Sequence, residues 1–165
     1  MTEAFSGQDL AQKINQILPD SVVESAPQAI VVKKESLFDV MRFLQETPEL
    51  DFNYLTNITG IDYPEYLELI YQLVSLRHNH SLVVKTRCYE KEKPVVPSVV
   101  SLWQGANLQE REIYDLLGIE FEGHPDLRRL LLWEGFPGHP LRKDWKAPGE
   151  EETTAFPREE TQPCL

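Results

Sequence analysis

Apolar positions recur at helical spacing twice near the start of this chain. Leu10, Ile14, Ile17 and Leu18 fall at i, i+4, i+7 and i+8 and share one helix face. Ser6 and Asp9 stand as a capping pair ahead of that face and Pro19 closes it, which predicts a helix over Ser6 to Leu18. Leu37, Val40, Met41 and Leu44 repeat the pattern between a Ser36/Asp39 start and a stop at Pro48. Between these helices, Val22-Val23 and Ile30-Val31-Val32 are β-branched and flank Pro27, so they read as two short strands joined by a turn.

From Phe52 to Tyr89 the period drops to two. Tyr54 to Ile61, Tyr66 to Arg77 and Ser81 to Tyr89 predict three strands, with Leu82, Val84, Thr86 and Cys88 on one face of the third. His78-Asn79-His80 has the composition of the hairpin turn before it, and His78 and His80 also form a weak two-ligand metal candidate. Glu90 to Pro97, charged and holding two prolines, reads as a loop. Val99 to Trp103 is a short strand or a helix-entry turn. Asn107, with Glu110 three residues on, is placed to cap a third helix that carries Ile113, Leu116 and Leu117 and ends at Gly118. Beyond Phe121 the chain is rich in Gly and Pro and reads as extended. The fold class is α+β: N-terminal helices with a mixed β-sheet, one later helix and an extended C-terminal docking arm. One domain is expected over residues 1–146, with the arm at 118–146. The remainder, 147–165, holds five glutamates and three prolines, a composition expected to be disordered alone or ordered by a partner.

Composition narrows the function classes. At 165 residues with 41% hydrophobic and 26% charged positions, the chain has the make-up of an ordinary globular domain. No apolar run reaches the ~20 residues that span a bilayer, and the N-terminus lacks the pattern of a signal peptide. A cytosolic chain, or one on the cytosolic side of a membrane, is expected. A net charge of −11 argues against nucleic acid as a partner. Cys88 and Cys164 have no neighbours at metal or redox spacing, so Cys88 reads as a half-buried strand residue and Cys164 as a free tail thiol.

The region 124–146 departs from this acidic background, because Arg128, Arg129, Arg142, Lys143 and Lys146 outnumber Asp126, Glu134 and Asp144 there. Charged residues interleaved with Leu, Phe and Trp suit a segment that packs on something and pairs its charges. Partner carboxylates are the expected ligands of Arg128, Arg129, Arg142 and Lys143, since Leu127, Leu130 to Leu132 and Leu141 lie beside them. Arg111 and Asp115, four apart on the helix, are expected to form a surface pair. Glu110 is expected to act as a cap and interface anchor. His124 and His139, each followed by Pro, are too poorly accompanied for a metal site. A hydrolase using Glu112 and His124 requires both side chains to reach one pocket. Dinucleotide, phosphate-loop and Cys-x-x-Cys motifs are absent from the sequence.

The order of residues from Glu110 to Trp145 resembles a family signature. Glu110-Arg111-Glu112, Asp115, Leu116-Leu117, Gly118-Ile119, His124-Pro125, Leu127-Arg128-Arg129 and Pro140-Leu141-Arg142-Lys143-Asp144 match that of the C subunit of bacterial NADH–quinone oxidoreductase, respiratory complex I, whose counterpart in cyanobacteria and chloroplasts is the J subunit. Trp145 replaces the usual Tyr, and Trp133 to Pro137 departs from the common pattern. The resemblance implies a subunit without its own redox group. It would pack on the large quinone-site subunit and on iron–sulfur subunits of a peripheral arm, on the cytoplasmic side of the cell membrane. The whole complex would pass electrons from NADH through FMN and iron–sulfur centres to quinone and translocate protons. A homologous subunit of a membrane-bound hydrogenase or another complex-I-like oxidoreductase is the alternative.

Overall fold

The computed structural model describes residues 3–147. The acidic tail expected from 147 therefore lies, from residue 148 onward, outside the described residues. The α+β expectation is borne out by a mixed six-stranded sheet and three helices. Strand β1 (Glu3–Ala4) leads into α1 (Gly7–Ile17), followed by β2 (Val22–Ala26), β3 (Ala29–Val32) and α2 (Leu37–Glu46). The long strands β4 (Tyr54–Asp62), β5 (Leu67–Ser75) and β6 (His80–Cys88) come next, then β7 (Val95–Pro97), α3 (Ala106–Leu117) and β8 (Glu120–Glu122).

The sheet order is β2-β3-β6-β5-β4, with β1 parallel to the start of β6. The β3–β6 pair is parallel and the β2–β3, β5–β6 and β4–β5 pairs are antiparallel. Leu82, Val84, Thr86 and Cys88 are buried on one face of β6, as the alternation requires. Cys88 is fully rather than half buried. The core joins these positions to Leu10 and Ile14 of α1 and to Leu37, Val40, Met41 and Leu44 of α2.

Local signals fared unequally. Ser6 caps α1 by accepting from the Asp9 amide at 3.4 Å, but Ile17 is exposed because the helix ends on the solvent side of its packed stripe. A 3-10 turn over Lys34–Ser36 precedes α2, and the Ser36 side chain makes no capping bond. His80 belongs to β6 rather than to the turn. The Nε2 atoms of His78 and His80 each sit 2.9 Å from a backbone carbonyl, of Pro48 and Leu50 respectively, and so staple the hairpin to the α2–β4 loop. The expected loop and arm each contain a strand, since β7 and β8 form a small parallel pair. Helix α3 begins at Ala106, one residue before Asn107, with Gly105 at its cap. Gly118 ends it at φ 73°, and a Cβ there would lie 2.6 Å from the His139 ring, so both backbone and neighbour demand glycine.

Candidate functional site

Helix α3 is the axis of the site. Its inner side lies against β4, the end strand of the sheet, with Ile113 and Leu117 buried. Gln109 closes the strand edge, its Oε1 accepting from the Ile58 amide at 2.6 Å. The arm then runs alongside α3 in the same direction. His124 Nε2 is 3.1 Å from the Asn107 carbonyl, and its Nδ1 accepts from the Asp126 amide at 3.0 Å. One turn on, Arg111 donates to the carbonyls of Arg128 and Arg129, both at 3.1 Å. Next, Asp115 Oδ2 accepts from three successive amides, Leu130, Leu131 and Leu132, at 3.0, 2.7 and 2.9 Å. Its Oδ1 meets Arg129 at 2.9 Å. His139 Nδ1 sits 2.9 Å from the Asp115 carbonyl. Finally the Leu141 amide donates to Leu116 at 3.0 Å, and Arg142 donates to the carbonyls of Lys91 and Leu117 at 2.6 and 3.4 Å.

Several expectations are corrected by this wiring. Arg111 and Asp115 do not pair with each other, because the arm offers carbonyls to one and amides to the other. Arg129 takes a carboxylate of its own chain. It also donates to the Phe136 carbonyl at 3.1 Å and to Gly138 at 3.2 Å, so its guanidinium is bonded within the chain. Arg142 is likewise satisfied internally, with Asp144 at 3.3 Å. Burial opposes ionisation of Asp115, yet the amides of Leu132 and Leu131, the Arg129 guanidinium and the Leu130 amide outweigh it and hold the carboxyl below the usual range.

Glu110 is neither a cap nor an exposed anchor. It is 0% exposed on the inner side of α3. Ser98 Oγ donates to its Oε2 at 2.6 Å and the Val99 amide to its Oε1 at 2.8 Å. No ion pair reaches it among the described residues. Burial pushes its carboxyl up to about 7 against those two hydrogen bonds. Full burial first of all, and then the charge of Glu110, raise the nearby Tyr71 phenol well above its usual range.

The sequence reading missed Asp62, Lys91 and Ser98. Asp62 is buried at the end of β4, 2.6 Å from Lys91 Nζ, and it accepts from the Lys143 amide at 2.8 Å. Burial is its largest perturbation and raises it, but Lys91, the Lys143 amide and Arg142 together lower the carboxyl. The available signal was register, since Asp62 sits on the side of β4 that carries Ile58, where an acid requires a partner.

Other signature residues stay at the surface. Among the described residues the Arg128 side chain pairs only with Asp126, at 2.9 Å, and both are exposed. Leu127 is half-buried against the core. Pro125, Glu112, Lys143 and Asp144 are exposed and Pro140 is half-buried. Glu112 and His124 do not converge, because the groove beside Glu112 is lined by β4, α3 and Leu141, while both nitrogens of His124 are engaged. The hydrolase arrangement therefore does not form. Among the described residues no three His, Cys, Asp or Glu side chains are placed to hold a metal ion.

Among its charged residues the arm also exposes large apolar side chains. Leu131 is 63% exposed, Trp133 67% and Leu141 58%. Trp133 meets Phe136 edge-on at 4.7 Å, and Phe136 stacks on Trp145 at 5.7 Å. Trp145 Nε1 donates to the Pro137 carbonyl at 2.6 Å, fixing the end of this aromatic row.

The chain is similar to known proteins over most of its length. The family model for the "Respiratory-chain NADH dehydrogenase, 30 Kd subunit" matches residues 30–151. The C subunit of the NADH-quinone oxidoreductase of Roseiflexus sp. (strain RS-1) is 38% identical over 161 residues, covering 93% of this chain and 91% of that protein. The corresponding protein of Moorella thermoacetica is 40% identical over 139 residues, covering 82% and 92%. Among solved structures, a chain of the membrane-bound sulfane sulfur reductase, an archaeal respiratory membrane complex, matches with a TM-score of 0.70 over 85% of each chain. At 23% identity, that likeness speaks for the fold alone.

Proposed function

This chain belongs to the family of the respiratory-chain NADH dehydrogenase 30-kDa subunit, the C subunit of NADH–quinone oxidoreductase, and on that premise we propose that it is a cofactor-free structural subunit of the complex's peripheral arm. In this reading it packs on the large quinone-site subunit and on iron–sulfur subunits at the cytoplasmic side of the cell membrane. Those partners carry FMN and the iron–sulfur centres that take electrons from NADH to quinone, and the assembled enzyme translocates protons. The chain's own task is to present a fixed surface.

One observation carries the proposal. Leu131, Trp133 and Leu141 are held out to solvent by a backbone that Asp115, Arg111, Arg129 and Arg142 anchor. Exposed aromatic and aliphatic side chains on a rigid frame are the usual material of a protein interface and lose little entropy on docking. The described residues contain no helix long and apolar enough to cross a membrane, so association through a protein face fits a peripheral position.

The test is purification from membranes through a tag on this chain. Flavin and iron–sulfur subunits should co-purify in stoichiometric amounts with NADH–quinone reductase activity, and a Leu131→Ala/Trp133→Ala variant should lose them without unfolding. Recovery of the chain alone from cells whose oxidoreductase is fully assembled refutes the reading.

A further inference from the structure

The signature's charged side chains divide into those the fold uses and those it leaves over. Glu110, Arg111, Asp115, Arg129 and Arg142 are all bonded within the chain. Glu112, between two of them on the same helix, is exposed and makes no hydrogen bond or ion pair among the described residues. It faces a groove of about 190 Å³ between α3 and β4, whose other walls include Asn57, Thr59, Leu116 and Leu141. Leu108, one turn before Glu112 on the same helix face but outside the groove's lining, is 57% exposed, and Leu141 in the lining is 58% exposed.

We infer that this groove receives an extended segment of a neighbouring subunit that sets a Lys or Arg on Glu112 between two apolar side chains, one over Leu108 and one over Leu141. The inference rests on the subunit reading above and names the chemistry of one partner. Charge selects the occupant. A lone carboxylate in a chain of net charge −11 repels acidic segments and attracts a basic one. The exposed apolar side chains of Leu108 and Leu141 select against a freely solvated cation. Side chains, not strand addition, do the reading, because Gln109 already takes the Ile58 amide at the edge of β4 and Asn57 Nδ2 donates to Thr59 Oγ1 at 2.7 Å across the groove wall.

The experiment places a benzophenone-bearing amino acid at position 141 of the full chain and co-expresses it with the other subunits. After irradiation of the assembled complex, the cross-linked peptide is sequenced by mass spectrometry. In parallel, Glu112→Lys and the isosteric Glu112→Gln are compared with Glu65→Lys, an exposed turn residue away from the groove. The expected result is a cross-link to a Lys- or Arg-containing peptide of a co-purifying subunit. Glu112→Lys should lower its yield about tenfold, Glu112→Gln less, and Glu65→Lys not at all. The melting temperature of both Glu112 variants should match that of the wild type, because the side chain supports nothing internal. A cross-link only to residues 148–165 of this chain, to a peptide without a cation, or to nothing overturns the inference, as does equal yield from Glu112→Lys and Glu65→Lys. Failure of the unmodified chain to co-purify with any subunit instead overturns the subunit reading itself.

Discussion

Replacing Glu110 with Gln should make the chain more stable at pH 8, and the gain should vanish at acid pH. Glu110 is 0% exposed and has two neutral donors, Ser98 and Val99, but no ion-paired cation among the described residues. Burial therefore lifts its carboxyl from 4.5 to about 7. Each unit of displacement is worth about 1.4 kcal/mol. Because the folded-state value is the higher one, the folded chain holds the proton more tightly than the unfolded chain. This group's stability is thus greatest below pH 4.5 and falls as pH rises, levelling off above about 7. The total loss is about 3 kcal/mol, of which about 2.5 kcal/mol falls between pH 5 and pH 8.

Gln keeps the neutral acid's pattern, with its oxygen accepting from the Val99 amide and its nitrogen donating to Ser98. The assay is urea unfolding of wild type and Glu110→Gln at pH 5, 6, 7 and 8. The stability difference should move in favour of Gln by about 2.5 kcal/mol across that range, equivalent to roughly 5–10 °C in melting temperature for a chain of this size. Comparing the two proteins at each pH cancels every other titrating group. The lowered carboxyls of Asp62 and Asp115 titrate below 3.8, outside the window. A difference that stays constant with pH refutes the argument, as does one that moves against Gln. Either would mean that the buried carboxylate is ionised and compensated.

Three further outcomes follow from the wiring of α3 to the arm. Arg129→Ala leaves Asp115 buried without its cation and should destabilise the purified chain by about 2 kcal/mol, seen as a drop of several degrees in thermal unfolding; an unchanged midpoint would return Arg129 to the role of a partner's ligand. Asp115 has a depressed carboxyl, so its contribution is fully present above pH 3.8 and is lost as pH falls through its folded-state value. Asp115→Asn should be less stable at pH 7 and should lose less on acidification to pH 2, as followed by circular dichroism. Gly118→Ala forces a side chain into φ 73° and onto His139, at a cost of at least about 2 kcal/mol in denaturant unfolding, and a neutral result would show that the arm shifts freely.

The layers of the fold were legible because burial enforces period. Leu37, Val40, Met41 and Leu44 are all buried, and Leu82 to Cys88 alternate as a half-buried strand must. Polar residues read by local rules were less reliable. Asn107 and Glu110 have the spacing of a cap, but the helix starts one residue earlier and Glu110 turns inward to serve Ser98 and Val99. Arg111 and Asp115 have the spacing of an ion pair, but the arm outcompetes each for the other with backbone groups 15 to 18 residues further along the chain. Nothing in local spacing distinguishes a side chain facing solvent from one facing a returning segment. The short strands β7 and β8 escaped for the same reason, since each exists only because the other lies beside it.

That same returning segment changes where the proposed recognition surface lies. A dense charged signature suggested charges aimed outward at partner carboxylates. In the fold, the arm running along one side of α3 takes up Arg111, Asp115, Arg129 and Arg142, while Ser98 and Val99 take up Glu110. An internal pair of this kind adds little net stability over a well-packed apolar contact, but it fixes geometry, since breaking it strands a buried charge. Its consequence is a chain whose exposed remainder is held in one arrangement. In the proposed reading, the groups left to meet a partner include apolar Leu131, Trp133 and Leu141, cationic Lys143 and Arg128, the latter paired only loosely with exposed Asp126, and anionic Glu112. Substitutions in the first set should thus act through folding and appear in the purified chain, whereas those in the second should be silent there and appear only on assembly.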